Sequence, residues 1–161
     1  CCRKRKILFC LCVFNGLLME TMALLEKEMV ENLLPQKFPF VMVDTMHSYS
    51  ETSLVSGLEI QNDNIFVSEN IFLEPGLIEH MAQSVALHTG YQYFLRNEVA
   101  PTGYIGSIKE IEIKKLPKVN DNIQSEVTIL QEFAGITLVD IVTTLNNEEI
   151  ARGQMKTVLA K

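Results

Sequence analysis

One stretch, from Glu74 to Phe94, constrains the fold of this chain more than any other segment. Its apolar residues recur at intervals of three and four, which is the spacing of one helix face. Pro75 suits the first turn of a helix, because its missing N–H would have no intrahelical partner there. The other positions are only weakly polar, so the pattern predicts one long helix that is covered on most sides. The apolar positions are Leu77, Ile78, Met81, Ala82, Val85, Ala86 and Tyr93.

Glu79 interrupts this pattern on the second helical turn, beside the apolar stripe. Burying a carboxylate is costly unless it has a partner or a role. A carboxylate in apolar surroundings can act as an acid or a base near neutral pH. Glu79 is therefore the candidate catalytic residue; the alternative is a structural carboxylate that is hydrogen-bonded by a buried amide.

Composition places the chain among ordinary globular proteins and limits its partners. It has 161 residues, of which 47% are hydrophobic and 21% charged, which suits one domain with a real core. The net charge is −6, and four of the 14 Lys and Arg residues lie in Arg3–Lys6, so the body of the chain is acidic. An acidic body argues against general nucleic-acid binding, which depends on neutralising phosphates.

Cysteine and histidine positions argue against a metal site. All 4 cysteines precede residue 13, so the rest of the chain has no disulfides and no thiolate metal site. This usage fits a reducing compartment, and we expect a cytoplasmic protein. His47, His80 and His88 show no metal-ligand spacing with a third ligand, so we predict no metal.

Residues 1–18 differ from the rest of the chain. Four basic residues precede the apolar run Ile7–Leu18, which is the layout of a secretory signal. The run is too short for a comfortable transmembrane helix, and no small-x-small cleavage site follows it. Two interpretations stay open: an upstream extension outside the working protein, or a true signal or anchor. We take residues 19–161 as a single domain without a membrane span.

The order of the remaining elements predicts an α+β fold. A short helix over Met22–Leu34 ends at Pro35. The alternation of apolar and polar residues predicts strands before and after the long helix. A change of parity between Ile108 and Ile111 predicts a bulge. The economical packing is a curved antiparallel sheet wrapped around the central helix. The predicted strands are Asp44–Tyr49, Ser53–Ile60, Ile65–Val67, Gly103–Lys115, Ile123–Ile129, Ile136–Leu145, which should be central, and Ile150–Leu159.

Three motifs together resemble those of the hotdog-fold 3-hydroxyacyl-acyl-carrier-protein dehydratases. They are Leu-Pro-Gln-Lys-Phe-Pro-Phe at 34–40, Glu-His-Met-Ala-Gln at 79–83, and Gly-Tyr-Ile-Gly-Ser-Ile at 103–108. The resemblance covers roughly Leu33–Leu159 and is to the members associated with aryl-polyene and flexirubin-type pigment pathways.

This resemblance implies a hotdog dimer whose two sheets join edge to edge. A helix carboxylate of one chain, here Glu79, then faces a histidine of the other, and together they remove water from a 3-hydroxyacyl thioester. The substrate is carried on the phosphopantetheine of an acyl carrier protein, and no other cofactor is implied. Binding of the thioester carbonyl by backbone N–H groups maps onto Gly76, at the helix N-terminus, and Gly106.

The chain departs from these enzymes in the loop before the helix. The family has a His-Phe-Pro motif there, whereas Phe66–Gly76 contains no histidine, and the interval from Pro-Gly to the glutamate is two residues shorter. Ser68 and Asn70 occupy this loop and are candidates to hydrogen-bond substrate or position water. Three functions stay open: a dehydratase, a non-catalytic acyl-binding subunit paired with a histidine-bearing hotdog partner, or a thioesterase in which Glu79 activates water.

The histidines have weaker roles in this interpretation. His80 cannot easily share the pocket of Glu79, because adjacent helix positions point about 100° apart. It is either a residue that acts across the dimer or a surface or interface histidine. His47 lies on an early strand from which it could approach the partner's site, and His88 is predicted on the helix surface.

Two further groups of residues have a functional and a plain interpretation. Four lysines on or just after the predicted strand Gly103–Lys115 could dock an acidic acyl carrier protein, or they could only solubilise a strand face. Phenylalanines could line an acyl tunnel or form ordinary core. The lysines are Lys109, Lys114, Lys115 and Lys118; the phenylalanines are Phe38, Phe40, Phe66 and Phe72.

Overall fold

The computed structural model describes residues 23–160 of the chain. The extension predicted for residues 1–18 lies outside the described residues, as does the start of the predicted domain at residue 19. The helices within the described range are Lys27–Leu33 (α1) and Glu74–Leu95 (α2). The strands are Thr45–Tyr49 (β1), Ser53–Glu59 (β2), Val67–Ser68 (β3), Ile71–Phe72 (β4), Gly103–Ile113 (β5), Asn122–Phe133 (β6), Ile136–Leu145 (β7) and Glu148–Leu159 (β8).

The main sheet has six strands in the order β1-β2-β6-β7-β8-β5, and every neighbouring pair is antiparallel. Its inner face packs on α2, so the predicted α+β arrangement of a sheet around one long helix is confirmed. β7 is central, as its apolar character on both faces predicts. β5 lies at one end of the sheet and pairs only with β8 among the described strands, which leaves its other edge without a strand.

Apolar residues of α2 and of the inner sheet face form the core. Met81 on the helix and Ile141 and Met155 on the sheet are completely buried in one cluster. Burial of each such side chain contributes about 1.5–3 kcal/mol to folding. The apolar face that the helix periodicity predicts therefore packs on the apolar face that the strand alternation predicts. This is why the sequence pattern predicts the packing correctly.

Buried hydroxyl groups also lie between the helix and the sheet. The Oγ atoms of Ser56 on β2 and Ser84 on α2 are 2.7 Å apart, and Ser84 Oγ donates to the His80 carbonyl oxygen at 2.7 Å. Ser125 Oγ and Thr143 Oγ1 are also 2.7 Å apart. Because each hydroxyl has a partner, these small polar side chains are buried at little cost.

Two predicted elements differ in extent or position. α1 begins at Lys27, not near Met22, because Leu25 forms a β-bridge with Met46 and so takes an extended conformation. The strand predicted at Ile65–Val67 is displaced: Ile65 and Phe66 lie in a turn, and only Val67 belongs to a strand, β3. Asn64 instead forms a turn, in which its side-chain oxygen accepts from the Phe66 N–H and its carbonyl oxygen from the Val67 N–H, both at 2.9 Å.

The bulge predicted in the strand after the helix is confirmed. The β5–β8 register shifts between Lys109 and Glu112, and Glu110 adopts a φ of 49°. A second shift lies between Ile105 and Ser107, at Gly106. These irregularities bend the strand, as bulges do at sheet edges.

A close approach at Gly90 places α1 against α2. A Cβ atom at this position would overlap the carbonyl oxygen of Leu33, the last residue of α1. Since a backbone carbonyl cannot move aside as a side chain can, only glycine permits this distance. The C-terminal end of α1 thereby becomes one wall of the cavity described next.

Candidate active site

A cavity of about 310 Å³ lies between α2, the end of α1 and the start of β5. Glu79 is one of its lining residues. The rest of the lining is a mixture of small, apolar and uncharged polar residues, a composition that suits an apolar chain with a few polar groups. The lining residues are Asn32, Leu33, Leu34, Pro35, Gln36, Glu79, Ala82, Val85, Ala86, Thr89, Gly90, Val99, Ala100, Pro101, Thr102, Gly103, Tyr104, Ile105, Thr157 and Leu159.

The Glu79 carboxylate is half-buried and is held on one side by Gln83, one helical turn further along α2. The Gln83 Nε2 donates to Glu79 Oε1 at 2.7 Å. No other described residue donates to the second oxygen, Oε2. The carboxylate therefore has one oxygen fixed in position and the other available to a group in the cavity.

Gln83 is completely buried and joins α2 to the extended segment that precedes β1. The Met42 N–H donates to Gln83 Oε1 at 2.7 Å, and Gln83 Nε2 donates to the Phe40 carbonyl oxygen at 2.7 Å. Because a backbone N–H can only donate, the Met42 contact assigns the two ends of the amide. A buried amide that holds the carboxylate is the predicted alternative to catalysis; in the structure this amide and a cavity beside Glu79 occur together.

His80 is completely buried, so its placement as a surface or interface histidine is wrong. Its Nδ1 donates to the Met42 carbonyl oxygen at 2.6 Å, and its Nε2 is buried with no partner among residues 23–160. Burial disfavours the imidazolium and lowers the pKa of His80 to about 4, against the opposing effect of the Met42 hydrogen bond. His80 and Gln83 thus bind the same segment from one helix. The apolar periodicity of α2 does not reveal that His80 and Gln83 are buried, because both are polar residues at positions that face inward.

The pKa of His80 predicts a specific loss of stability in mild acid. Between pH 6.5 and 4 the unfolded chain binds a proton at His80 that the folded chain does not bind. The free energy of unfolding therefore falls as the pH is lowered through this window, by about 3 kcal/mol in total. Urea unfolding at a series of pH values measures it. His80→Asn is the matched control, since its amide can donate to Met42 but does not titrate; the same pH dependence in both proteins would contradict the prediction.

The other two histidines also lie away from the cavity. His88 is buried, not on the helix surface as predicted. Its Nε2 donates to the Ser50 carbonyl oxygen at 3.0 Å, and the centroids of its ring and the Tyr49 ring are 5.0 Å apart. Burial lowers the pKa of His88. His47 is on β1, with its Nε2 3.4 Å from Gln124 Nε2. No histidine in the described part of the chain lines the cavity of Glu79.

The predicted substrate-binding residues are not in this cavity. Gly76 is buried in the first turn of α2, where a Cβ atom would lie 2.5 Å from the Phe72 ring. Gly106 is exposed at the first bulge of β5. Ser68 and Asn70 are exposed in the β3–β4 hairpin, where Asn70 has a φ of 67°. Of the predicted site residues, only Glu79 lines the cavity, and the roles of the other four stay predictions.

The lysine cluster is divided in the structure. Lys114 Nζ is 2.6 Å from Glu149 Oε1, and Lys115 Nζ is 3.1 Å from Glu148 Oε2. Lys109 and Lys118 form no ion pair with any residue from 23 to 160. Two of the four charges are thus already neutralised by neighbouring acids, which weakens the cluster as a single docking site.

The phenylalanines that could line an acyl tunnel lie elsewhere. Phe72 is completely buried in the core, and Phe66 packs against that core. Phe38 and Phe40 are exposed on the segment before β1. Because none of them lines the cavity of Glu79, the plain core interpretation holds for Phe66 and Phe72.

Residues 23–160 contain neither a metal site nor a membrane-spanning helix. Across residues 23–160 no three His, Cys, Asp or Glu side chains converge in a way that could hold a metal ion. Neither α1 nor α2 combines the length and the apolar character needed to span a bilayer.

Comparisons with known proteins identify relatives of this chain. The family model described as "ApeP-like: ApeP dehydratase" matches residues 28–160. The 3-hydroxyacyl-[acyl-carrier-protein] dehydratase FabZ of Vibrio cholerae is 28% identical over 137 residues, which cover 79% of this chain and 86% of that protein.

Solved structures show the same hotdog fold. A chain of the dehydratase heterocomplex ApeI:P from Xenorhabdus doucetiae superposes with a TM-score of 0.77 at 14% identity, over 82% of this chain and 91% of the other. A hypothetical thioesterase from Streptococcus pneumoniae, solved with coenzyme A, has a TM-score of 0.58 at 10% identity, over 71% and 84% of the two chains. The predicted fold class is thereby confirmed.

Proposed function

Because the chain belongs to the ApeP-like dehydratase family, we propose that it takes part in the dehydration of a 3-hydroxyacyl thioester carried by an acyl carrier protein. The product is the trans-2-enoyl thioester, in fatty-acid or polyene-type biosynthesis. In this reaction the acidic C2 proton is removed, the C3–O bond breaks, and the 3-hydroxyl leaves as water once protonated. The proposed compartment is the cytoplasm, in keeping with the cysteine-free body of the chain.

The observation that carries this proposal is the position of Glu79. Its carboxylate lines a cavity of about 310 Å³, and Gln83 holds only one of its two oxygens. A proton-transfer group must lie within hydrogen-bond reach of the reacting atoms, and a fixed carboxylate at a cavity wall meets that need. Binding of the thioester carbonyl by the Gly76 or Gly106 N–H belongs to the proposal as an expectation from the family.

A heteromeric form of this activity is favoured by the histidines. His80 and His88 are buried and hydrogen-bonded to backbone carbonyls, and His47 lies outside the cavity. We infer that the second proton-transfer group comes from a histidine-bearing hotdog partner. The name of the similar ApeI:P structure describes a dehydratase heterocomplex, which supports this inference.

The edge of β5 is the proposed place for the partner. This strand pairs with β8 on one side only, and Ile105 and Ile108 are exposed on it. An uncovered strand edge with apolar side chains is a template for pairing with another chain. Ile105 also lines the cavity of Glu79, so a partner bound at this edge would lie beside the carboxylate.

Mass spectrometry of the carrier-bound acyl chain tests the proposal. The purified protein is incubated with a 3-hydroxyacyl carrier protein, alone and with a histidine-bearing hotdog subunit. Loss of one water from the acyl chain establishes dehydration, and loss only in the mixture establishes the heteromer. Release of free carrier thiol would instead support a thioesterase. An unchanged substrate in both incubations would contradict the proposal.

A further inference from the structure

Gln36, in the wall of the Glu79 cavity, carries a buried polar atom without a partner. Its side-chain oxygen, Oε1, is shielded from solvent and accepts no hydrogen bond from residues 23–160. His47 Nδ1 and His80 Nε2 share this property, but neither histidine lines the cavity, whereas Gln36 does. A buried acceptor without a partner costs free energy, so Gln36 lowers stability at this position unless a ligand supplies the donor.

The path of the chain brings Gln36 to the level of the catalytic candidate. The segment starts at Leu33, whose carbonyl oxygen packs on Gly90 of α2. An extended chain covers about 10 Å from Leu33 to Gln36. The helix covers about the same length from Gly90 back to Gln83, at about 1.5 Å per residue. Gln36 therefore lies near the level of Gln83, one helical turn from Glu79.

Hydrogen bonds fix the backbone on both sides of Gln36. The Phe40 N–H donates to the Lys37 carbonyl oxygen at 2.9 Å, which turns the chain back. Gln83 Nε2 donates to the Phe40 carbonyl oxygen at 2.7 Å, and Lys37 Nζ donates to the Leu34 carbonyl oxygen at 3.2 Å. Because the backbone is anchored, a rotation of the Gln36 side chain is the movement that turns Oε1 toward a ligand in the cavity.

The proposed substrate offers one donor that suits this oxygen. Among the described residues that line the cavity, only Glu79 is charged. In the acyl part of a 3-hydroxyacyl thioester, the hydrocarbon and the thioester have no N–H or O–H group, and the 3-hydroxyl is the donor. This hydroxyl must lie within reach of the proton-transfer group, because it leaves as water once protonated. An acceptor one helical turn from Glu79 is placed to bind its hydrogen.

We infer that Gln36 is a further substrate-binding residue of this cavity, whose Oε1 accepts the hydrogen bond from the 3-hydroxyl of the acyl chain. The inference rests on the proposed function. With its hydrogen held by Gln36, the hydroxyl oxygen directs a lone pair to Glu79 Oε2, the carboxylate oxygen that Gln83 leaves unbound. The proton of Oε2 passes to this oxygen, the C3–O bond breaks with its electron pair on oxygen, and water leaves. The C2 proton goes to the second proton-transfer group, and the electron pair of the C2–H bond forms the double bond.

The affinities of two thioesters test the role of Gln36. The 3-hydroxyoctanoyl and octanoyl thioesters of N-acetylcysteamine differ only in the 3-hydroxyl, and Glu79→Gln is introduced to suppress turnover during calorimetry. We expect the protein that retains Gln36 to bind the hydroxylated thioester about three- to ten-fold more tightly, which is the effect of one hydrogen bond. Adding Gln36→Met removes the acceptor at nearly constant length and should abolish this preference.

Controls separate substrate binding from a structural role. Gln92→Met makes the same change on α2 outside the cavity and should keep the preference. Gln36→Glu retains an acceptor and should keep it too. Gln36→Met should unfold at no lower urea concentration than the parent, because Oε1 has no protein partner to lose. In the assembly that dehydrates, Gln36→Met alone is expected to lower kcat/KM by about three- to ten-fold.

The outcomes distinguish this inference from the proposed function. A hydroxyl preference that survives Gln36→Met, or its absence before that change, would overturn the inference, as would no measurable binding of either thioester. An equal loss of affinity for both thioesters would overturn it as well, and would assign Gln36 to the amide N–H that both ligands share. If no assembly dehydrates the substrate, the proposed function fails, and the ratio of the two affinities still decides the role of Gln36.

Discussion

Replacing Glu79 by glutamine is expected to lower the dehydration rate by about 10²–10⁴-fold. The amide oxygen of glutamine can still accept from Gln83 Nε2, so the side chain keeps its position, but it can neither give nor take a proton. For the same reason we expect the free energy of unfolding to change by less than about 1 kcal/mol. The measurement is the rate of water loss from a 3-hydroxyacyl carrier protein, in the assembly that shows activity.

Glu74→Gln is the matched control for this prediction. Glu74 is an exposed carboxylate in the first turn of the same helix, and it does not line the cavity. The same chemical change there should leave the rate unaltered. A Glu79→Gln protein that dehydrates at the original rate would remove Glu79 from proton transfer and would leave it only the structural role beside Gln83.

Replacing Gln83 by methionine is expected to affect both stability and rate. The new side chain has nearly the same length, but the Met42 N–H and the Phe40 carbonyl oxygen lose their partners. An unsatisfied buried polar group costs about 1–3 kcal/mol, so we expect a total loss of about 2–4 kcal/mol in the free energy of unfolding. Glu79 also loses the donor that holds Oε1, so we expect kcat to fall by about ten-fold or more in protein that is still folded.

Urea unfolding and turnover at a temperature well below the unfolding transition measure the two effects separately. Gln92→Met is the matched control, because Gln92 lies on α2 and forms no side-chain hydrogen bond within the described range. A Gln83→Met protein with full activity and reduced stability would show that Gln83 supports the fold but does not position Glu79.

The pairing of Glu79 with Gln83 shows why a catalytic and a structural interpretation need not exclude each other. The same amide that stabilises the segment before β1 also fixes the carboxylate oxygen. A proton-transfer group gains from being held, because its position relative to the substrate is then set before the reaction begins. If Glu79 transfers the proton as proposed, catalysis and fold stability depend on the same buried side chain, Gln83.

For the histidines, the sequence predicts the direction of the side chain correctly but not its burial. Their spacing alone shows that His80 points away from Glu79, and this holds in the structure, where His80 bonds Met42. Whether His80 is exposed to water depends on which other segment of the chain covers it. The covering segment, Phe40–Met42, lies about 40 residues earlier in the sequence. A local pattern contains no information about that contact, so surface placement was wrong for both His80 and His88.

Local patterns were sufficient to specify α2, the strands of the main sheet, the bulge near Glu110 and Glu79 as the residue of interest. Each of these depends on periodicity or on a single anomalous residue, and both are properties of neighbouring positions in the chain. Long-range packing was needed for the rest: the amide that holds Glu79, the burial of His80 and the neutralisation of Lys114 and Lys115. These features join residues that are far apart in sequence, and their free energies depend on distances that arise only when the sheet closes around the helix.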